Sequence, residues 1–318
     1  MIKYNLDIFK NFTSIEKVCK VLCVNKVLKY NIINNNIKEC YITEINDNGR
    51  EIHKPMYFLK KSQKKLLKCL LPKVLPKYLF APSIKNTNKN NIENARYHLG
   101  KKYFLTMDIS SFYNSIKGNI IYDLFFNKFK LNSDVALFIT KLTVYDNGEE
   151  TFLSTGSPSS QILAYLCYSD VFDNIYNLCL KKGIRFSLYV DDMTFSSDIK
   201  FTNKLPNKII DIFEKNNLKI KPEKTKRYNK GYAKITGVIL KNNKLYIKNS
   251  KRKDIIENLK LLNKSNDIIK KEIENNNIEI IKTISKLNGL LNYTKQIEED
   301  HFLANRNRIR KLYKLIPK

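Results

Sequence analysis

The feature that constrains this chain most is a pair of adjacent acids between two strand-like segments, in Tyr189-Val190-Asp191-Asp192. The residues on either side are rich in β-branched and aromatic types, which is typical of strands. We therefore predict a tight hairpin with both acids at its tip. Two neighbouring carboxylates repel one another unless a cation joins them, and Mg²⁺ needs only one or two protein carboxylates. A solvated turn would use the same residues, so this alternative stays open for the pair alone.

A third acid lies upstream, within the apolar run Phe104–Ile109. The run predicts a strand, and an acid in a buried strand is costly unless it has a partner or lies at the strand end. If Asp108 lies beside the hairpin, three carboxylates converge. Such a group suits two-metal catalysis of phosphoryl transfer, in which the ions assist the attacking and the leaving oxygen. We therefore predict a Mg²⁺ site formed by Asp108, Asp191 and Asp192.

The chain carries a large excess of positive charge. It has 58 Lys and Arg against 30 Asp and Glu, which gives a net charge of +28. An excess of this kind points to a polyanionic partner, most often nucleic acid. A composition biased toward Asn, Lys and Ile explains part of the charge, but it does not require so large an imbalance between bases and acids.

Cysteine, histidine and apolar content exclude several other classes. The six cysteines form no Cys-x-x-Cys pair and histidine is scarce, which argues against a zinc site. The first residues lack the apolar core of a signal peptide, and no window has the length of a membrane span. We therefore expect a cytoplasmic protein with no membrane partner. The 318 residues, 43% of them apolar, suffice for one large domain or two to three lobes.

Hydrophobic periodicity and turn signals predict a mixture of helices and antiparallel hairpins. Helices are predicted over the first 30 residues, over 57–71, as two helices over 119–145, as one long helix over 159–181, over 206–217, and from 250 onward. Hairpins are predicted over 41–52 and 232–247, the second with its turn at Asn242-Asn243. A strand and turn are predicted over 218–225.

The turn Gly156-Ser157-Pro158 opens the predicted long helix. A helix start exposes unpaired N–H groups, and small side chains let a ligand or a template strand approach closely. An ordinary capped helix start has the same composition, so both interpretations stay open.

Three motifs in this order resemble those of reverse transcriptases, over roughly residues 40 to 300: the Asp108 strand with Phe112-Tyr113, the Gly156 helix start, and the Tyr189–Asp192 hairpin. Two more segments resemble bacterial retron enzymes. Asn94-Ala95-Arg96-Tyr97-His98 matches their Asn-Ala-x-x-His signature, and Ile235-Thr236-Gly237 is close to their Val-Thr-Gly triplet. The chain departs from the family at Thr155, Val190 and Lys221, where Gln, Ala and Asn are frequent, but no acid is lost.

The resemblance implies an α+β right-hand polymerase fold. Its parts would be an N-terminal helix and fingers over 1–100, a palm with an antiparallel sheet over 101–247, and a helical thumb over 248–318. Fingers helices would interrupt the palm at about 119–150.

The implied activity is that of an RNA-directed DNA polymerase of the retron type. It would copy a structured noncoding RNA, which serves as template and primer, from deoxynucleoside triphosphates. Synthesis would start at a 2′-OH of that RNA and give a branched RNA-linked single-stranded DNA. The family uses such products in antiphage defence, often with an effector protein.

The resemblance also implies roles for single residues. Asp108 and Asp191 would bind Mg²⁺, with Asp192 adjacent. Lys224 would lie near the leaving pyrophosphate as a proton donor, although a plain surface lysine is an equal alternative. Arg50 would contact the incoming triphosphate.

Further residues would contact the nucleotide or the RNA. Tyr113, five residues after Asp108, would exclude a ribose 2′-OH, while Phe112 would point into the core. Gly156 and Ser157 would lie beside the bound strand. The candidates for holding the RNA or the fold are Asn94, His98, Ile235, Thr236 and Gly237.

Two alternatives belong to other classes. The first is a group II intron-like or other defence-associated reverse transcriptase, which a neighbouring structured RNA gene would argue against. The second is a catalytically silent RNA-binding protein on the same fold. The three intact acids argue against the second alternative.

Overall fold

The computed structural model describes residues 6–47, 49, 51–71, 74–81 and 89–317. The described part is a mixed α+β structure, as the sequence predicts. It divides into two compact units. The first comprises the described residues up to Asn90, Leu105–Ser197 and Phe201–Arg227; the second comprises Asn91–Phe104, Asp198–Lys200 and the described residues from Tyr228 onward. The division into fingers, palm and thumb stays a prediction.

The helices and strands are numbered in chain order. The helices are α1 (Leu6–Phe9), α2 (Ile15–Leu22), α3 (Lys26–Ile33), α4 (Tyr57–Leu70), α5 (Asn91–Tyr97), α6 (Phe112–Ser115), α7 (Gly118–Asp123), α8 (Ser133–Thr143), α9 (Ser160–Cys167), α10 (Ser169–Leu180), α11 (Lys204–Glu214), α12 (Asn249–Leu261), α13 (Asn266–Glu274), α14 (Ile278–Lys295) and α15 (Leu303–Tyr313). The strands are β1 (Tyr41–Ile45), β2 (Glu51–Pro55), β3 (Leu79–Phe80), β4 (Tyr103–Asp108), β5 (Val144–Asp146), β6 (Thr151–Leu153), β7 (Arg185–Tyr189), β8 (Asp192–Ser197), β9 (Lys226–Tyr228), β10 (Tyr232–Ile235), β11 (Val238–Lys241) and β12 (Lys244–Ile247).

The N-terminal region is helical, but its described part forms three short helices rather than one. Ser14 caps α2 by accepting a hydrogen bond from the Lys17 N–H at 3.3 Å. Cys23 ends the same helix in a left-handed conformation, with φ of 56°. Asn25 then caps α3 by accepting from the Leu28 N–H at 2.8 Å. The capping side chains are the reason for the breaks, because each satisfies a free N–H at a new helix start.

A five-stranded sheet carries the acids, with strand order β3-β7-β8-β4-β9. Strands β7 and β8 form an antiparallel hairpin, and β3 pairs with β7 in parallel. Side chains such as Leu105, Phe186 and Phe195 are fully buried in the large core of the first unit. Because strand side chains alternate between two faces, this burial fixes the strand register and therefore where the acids emerge.

The prediction of one long helix over 159–181 is wrong in one respect. The chain leaves the helical conformation at Tyr168, which has φ of −115° and ψ of 20°, and two helices, α9 and α10, result. No Gly or Pro marks this break, and buried apolar residues continue on both sides of it. Periodicity could not reveal it for that reason.

In the second unit, the hairpin predicted over 232–247 is a meander of three strands, β10-β11-β12. Thr236 and Gly237 form an additional two-residue turn, with φ of 41° and 90°. Positive φ at both positions is what a tight hairpin turn requires, and Gly adopts it at little cost. The turn predicted at Asn242-Asn243 is confirmed, with φ of 49° and 58°.

The helices α12 to α15 pack around a separate core that includes Ile255, Leu262, Ile284 and Leu287. The region from 250 onward is therefore helical, as predicted. None of the described helices combines the length and the apolar character needed to cross a lipid bilayer.

Candidate active site

The predicted hairpin at the acid pair is confirmed. Tyr189 pairs with Asp192 across β7 and β8, so Val190 and Asp191 form the two-residue turn and Asp192 is the first residue of β8. Val190 has φ of 60°, which is costly for a β-branched residue. Strained residues of this kind persist where the surrounding structure holds them, and they cluster at functional sites.

Asp108 lies at the end of β4, next to β8 in the sheet. The Ile109 N–H donates to the Asp191 carbonyl oxygen at 3.2 Å. The Asp108 side chain is buried, with 4% of its residue surface exposed. The end of β4 thus lies directly beside the hairpin tip, which is the arrangement that the three-acid prediction requires.

Two lysines approach Asp108 from the segment after α11. The Ser110 N–H donates to the Lys219 carbonyl at 2.7 Å, and the Lys221 N–H donates to the Asp108 carbonyl at 2.9 Å. This pairing brings Lys224 Nζ to 2.9 Å from Asp108 Oδ1 and Lys221 Nζ to 3.5 Å from Asp108 Oδ2. The structure therefore places Lys224 at the acids. It adds Lys221, which sequence reasoning could not distinguish as a partner of Asp108 from several nearby lysines.

The three acids influence one another electrostatically. Burial, together with the charges of Asp191 and Asp108, raises the pKa of Asp192 to about 6. A hydrogen bond to Asp108 raises the pKa of Lys224, so its ammonium stays protonated at neutral pH. The fold thus concentrates negative charge at one place and offsets only part of it with lysine.

The donor set fits a hard divalent cation in its chemistry. Asp108 Oδ2 is buried and has no hydrogen-bond partner among the described residues, although the Lys221 ammonium is 3.5 Å away. Three carboxylates against two ammonium groups leave a negative balance that a cation would neutralise. In the described part of the chain, however, no three acidic, histidine or cysteine side chains stand in a ready-made metal cluster. The Lys224 ammonium, 2.9 Å from Asp108 Oδ1, would compete with an ion for this carboxylate.

The two aromatic residues that follow β4, Phe112 and Tyr113, differ in burial. Ser111, with φ of 44°, turns the chain into α6. Phe112 is buried with its ring centroid 6.1 Å from that of Tyr168, which confirms its predicted place in the core. Tyr113 is half-buried and packs against the edge of the same core. The exclusion of a ribose 2′-OH by Tyr113 stays a prediction.

Gly156 has a specific steric reason to be glycine. A Cβ at this position would lie 2.3 Å from the His53 carbonyl oxygen of β2. The neighbouring Ser154 hydroxyl donates to the same oxygen at 2.9 Å. The small residue therefore allows β2 to approach closely. Contact of Gly156 with a bound template strand stays a prediction.

Ser157 is buried, and its hydroxyl lies 3.1 Å from the Ser159 hydroxyl. It therefore serves the turn that leads into α9. Arg50, the residue predicted to contact the triphosphate, lies outside the described residues.

The residues predicted to hold RNA come together within the second unit. Asn94 Nδ2 donates to the Thr236 hydroxyl at 3.3 Å, and that hydroxyl donates to the Asn91 carbonyl at 3.1 Å. Asn91 Nδ2 in turn donates to the Thr236 carbonyl at 3.1 Å. These bonds hold Thr236 in its unfavourable left-handed conformation. Asn91, which precedes the recognised signature, was not singled out from the sequence.

The other residues of this group are also enclosed. His98 and Ile235 are fully buried. Gly237 forms the turn beside Thr236. The two segments, far apart in the chain, thus form one hydrogen-bonded assembly.

Residues 37–264 match the family model described as reverse transcriptase (RNA-dependent DNA polymerase). The match covers well over half of the 318 residues, and the chain belongs to this family.

Its curated relatives include retron enzymes. The retron Se72 reverse transcriptase of Salmonella heidelberg is 30% identical over 52% of this chain and 42% of its own length. The retron Ec86 reverse transcriptase of Escherichia coli is 27% identical over 65% of this chain and 63% of its own length. The chain thus spans less than two thirds of either relative. The resemblance drawn from the motifs is confirmed.

Solved structures with a similar arrangement include an apo telomerase from Candida tropicalis truncated from the C-terminal domain. It has a TM-score of 0.40 at 12% identity, covering 69% of this chain and 59% of that one. A foamy viral protease-reverse transcriptase in complex with double-stranded DNA has a TM-score of 0.42 at 13% identity, covering 86% and 42%.

Proposed function

We propose that this protein is an RNA-directed DNA polymerase of the retron type. The observation that carries the proposal is the meeting of Asp108 with Asp191 and Asp192, where the end of β4 lies against the β7–β8 tip. Membership of the reverse transcriptase family and the retron relatives support the same activity. Primer extension on an RNA template with deoxynucleoside triphosphates and Mg²⁺ tests it, and absence of product would contradict it.

Asp108 and Asp191 would hold the divalent ions, with Asp192 beside them. When bound, such ions lower the pKa of the attacking hydroxyl and stabilise charge on the leaving pyrophosphate. The contribution of the chain is to fix the acids on rigid elements, since β4 and β8 are neighbours in one sheet. Positioning and charge account for most catalysis in phosphoryl transfer.

Lys224 would act on the leaving group. Its ammonium contacts Asp108 now, and its raised pKa keeps it protonated. Because the ammonium lies beside the acids that would hold the ions, it would be placed to donate a proton to the departing pyrophosphate.

Lys221 gives a test of the metal assignment that does not depend on synthesis. We expect Mg²⁺ to raise the melting temperature of Lys221→Met more than that of the unaltered protein. The reason is that the Lys221 ammonium lies 3.5 Å from Asp108 Oδ2, so its removal increases the benefit of an added ion. Thermal unfolding with and without Mg²⁺ measures the difference. Lys219→Met is the matched control, because Lys219 is exposed. Equal Mg²⁺ shifts in all three proteins would contradict the assignment.

Tyr113 would select deoxynucleotides by excluding the 2′-OH of a ribonucleotide. We expect Tyr113→Ala to increase ribonucleotide incorporation by about ten-fold or more, within the range that one added group costs in a tight pocket. Competition between a ribonucleotide and its deoxy form in primer extension measures this ratio. Tyr113→Phe keeps the ring and should keep the selectivity. Unchanged selectivity in the Ala variant would contradict this role of Tyr113.

The partner would be a structured noncoding RNA that serves as template and primer. Copying would start from a 2′-OH and give a branched RNA-linked single-stranded DNA, used in antiphage defence with an effector protein. The assembly of Asn94 with Thr236 supports RNA recognition by the second unit, because the retron-like motifs meet there. RNA isolated with the purified protein and sequenced would identify the template. Recovery of random cellular RNA would favour another class of reverse transcriptase.

A further inference from the structure

We propose that the groove between α7 and α8 is a docking site for a helix of another protein, one whose apolar stripe is bordered by basic residues. The groove has a volume of about 500 Å³, and its lining residues belong to the first unit. Its walls are α7, α8, the β5–β6 hairpin and the segment after α3. The side chains that we expect to contact the partner, called here the groove residues, are Tyr122, Asp134, Leu137, Lys141 and Asp146.

The β5–β6 hairpin joins the start of α7 to the end of α8. The Leu153 N–H of β6 donates to the Ile116 carbonyl, just before α7, at 3.0 Å. Strand β5 begins at Val144, directly after the last residue of α8. A Cβ on Gly118, the first residue of α7, would lie 2.4 Å from Thr151 Oγ1, so glycine permits this close packing. The two helices therefore run in opposite directions along the groove, with the hairpin where α7 begins and α8 ends.

Apolar side chains from both helices border the groove. Asp134, Leu137 and Lys141 occupy positions i, i+3 and i+7 of α8, which places them on one face of that helix. The ring of Tyr122 stacks with that of Phe126, with centroids 5.4 Å apart. Leu137 has 47% of its surface exposed and Phe126 has 40%. Exposed apolar side chains around a groove are typical of a protein interaction site, and an amphipathic helix is a common occupant.

The charged groove residues lack counterions. In the described part of the chain, Asp134, Lys141 and Asp146 form no ion pair. Asp134 Oδ1 accepts only from the Ser133 hydroxyl, at 3.3 Å, and Asp146 Oδ1 accepts from the Gly148 N–H at 2.8 Å. Two carboxylates against one ammonium give the groove a negative balance within a chain of net charge +28. This local reversal disfavours phosphate groups and favours a cationic partner.

The spacing of the two acids favours a helix over a small amine. The 11 residues of α8 span about 16 Å. Asp134 lies in the first turn of α8 and Asp146 lies beyond its last residue, so the acids are at opposite ends of the groove. A small amine would reach one of them. A partner helix of about three turns would reach both with basic side chains and cover Leu137 between them.

The experiment uses the full chain and two labelled helical peptides of about 15 residues, each with a leucine stripe. One peptide has lysines along the stripe and the other has glutamates. At about 0.15 M salt, interactions beyond about 8 Å are screened, so the charges of the groove itself decide binding. We expect the lysine peptide to bind at least ten-fold more tightly, as measured by fluorescence anisotropy. The net charge of +28 alone would favour the glutamate peptide, so equal or tighter binding of that peptide would overturn the proposal.

Substitutions in the groove locate the binding. Leu137→Ser should raise the Kd of the lysine peptide by about ten-fold or more, because the buried apolar contact is lost. Leu137→Met should keep the Kd, since the side chain stays apolar. Leu180→Ser is the matched control, because Leu180 is an exposed leucine of α10 in the same unit. It should leave the Kd unchanged, and equal effects of the two Ser variants would overturn the proposal.

The charges are tested separately. Asp134→Lys combined with Asp146→Lys should reverse the preference between the two peptides, whereas Lys141→Met should tighten binding of the lysine peptide. An unchanged preference in the double variant would contradict the assignment.

Two further outcomes would assign the groove to another occupant and overturn the proposal. The first is self-association of the unaltered protein that Leu137→Ser abolishes, which would indicate a second copy of the chain. The second is weaker binding of a single-stranded oligouridylate by Leu137→Ser, which would indicate nucleic acid. The inference does not rest on the proposed function. Primer extension by the groove variants should be unchanged, so a failure of the polymerase activity is distinguishable from a failure here.

Discussion

Replacing Asp191 by Asn is expected to abolish DNA synthesis while RNA binding is kept. The residue lies in the two-residue turn between β7 and β8, beside Asp108 and Asp192. Loss of a metal-binding carboxylate costs several kcal/mol of transition-state stabilisation, which corresponds to about a thousand-fold or more in rate. Single-turnover primer extension measures the rate, and co-purified RNA measures the binding. Persistent synthesis in this variant would refute the metal assignment.

The same variant should not be less stable, which distinguishes a catalytic loss from unfolding. Burial, Asp191 and Asp108 raise the pKa of Asp192 to about 6, so the fold favours the protonated acid. That stabilisation is present at low pH and is lost as pH rises through about 6. Above that pH the acids repel one another, and removing the Asp191 charge should leave the melting temperature equal or higher. Asp211→Asn, a change at an exposed aspartate of the same unit, should affect neither synthesis nor stability.

Gly156→Ala is expected to be the most destabilising of the substitutions considered. A Cβ at residue 156 would lie 2.3 Å from the His53 carbonyl oxygen and 2.9 Å from its carbon. Both are backbone atoms of β2, which cannot turn aside as a flexible side chain would. Overpacking costs about 1–3 kcal/mol and sometimes more, and we expect at least the upper value. Urea unfolding followed by circular dichroism measures the change.

Gly289→Ala gives the matched control. Gly289 lies within α14, and a Cβ there would meet nothing within 4 Å. Alanine favours helix by about 1 kcal/mol over glycine, so this change should stabilise the protein. If Gly156→Ala were as mild as Gly289→Ala, the packing of the turn against β2 would not have the role assigned to it.

The sequence predicted those parts of the fold that have strong local signals. The acid-pair hairpin and the Asn242-Asn243 turn each depend on a few neighbouring residues, and the structure contains both. The three-acid assembly could also be predicted, because an acid in an apolar strand needs a partner. Local chemistry and the cost of burial were sufficient in these cases.

The remaining features depend on contacts between distant residues. Lys221 and Lys224 reach Asp108 only because residues 219–221 pair with the end of β4, and any of the neighbouring lysines would have matched the sequence pattern equally well. The break at Tyr168 has no Gly or Pro to announce it. Thr236 is a poor residue for a left-handed turn, and its conformation depends on hydrogen bonds from Asn91 and Asn94.

The bonds around Thr236 have a consequence for how such chains diverge. Asn94 and Thr236 lie 142 positions apart in the chain. A change at one of them leaves the other with an unmatched polar group. Natural variants that alter Thr236 should therefore also alter Asn94, in the same lineages. Two short segments that look like separate signatures would then be inherited as a single module, and exchanging only one of them between homologous proteins should yield chains that fold poorly.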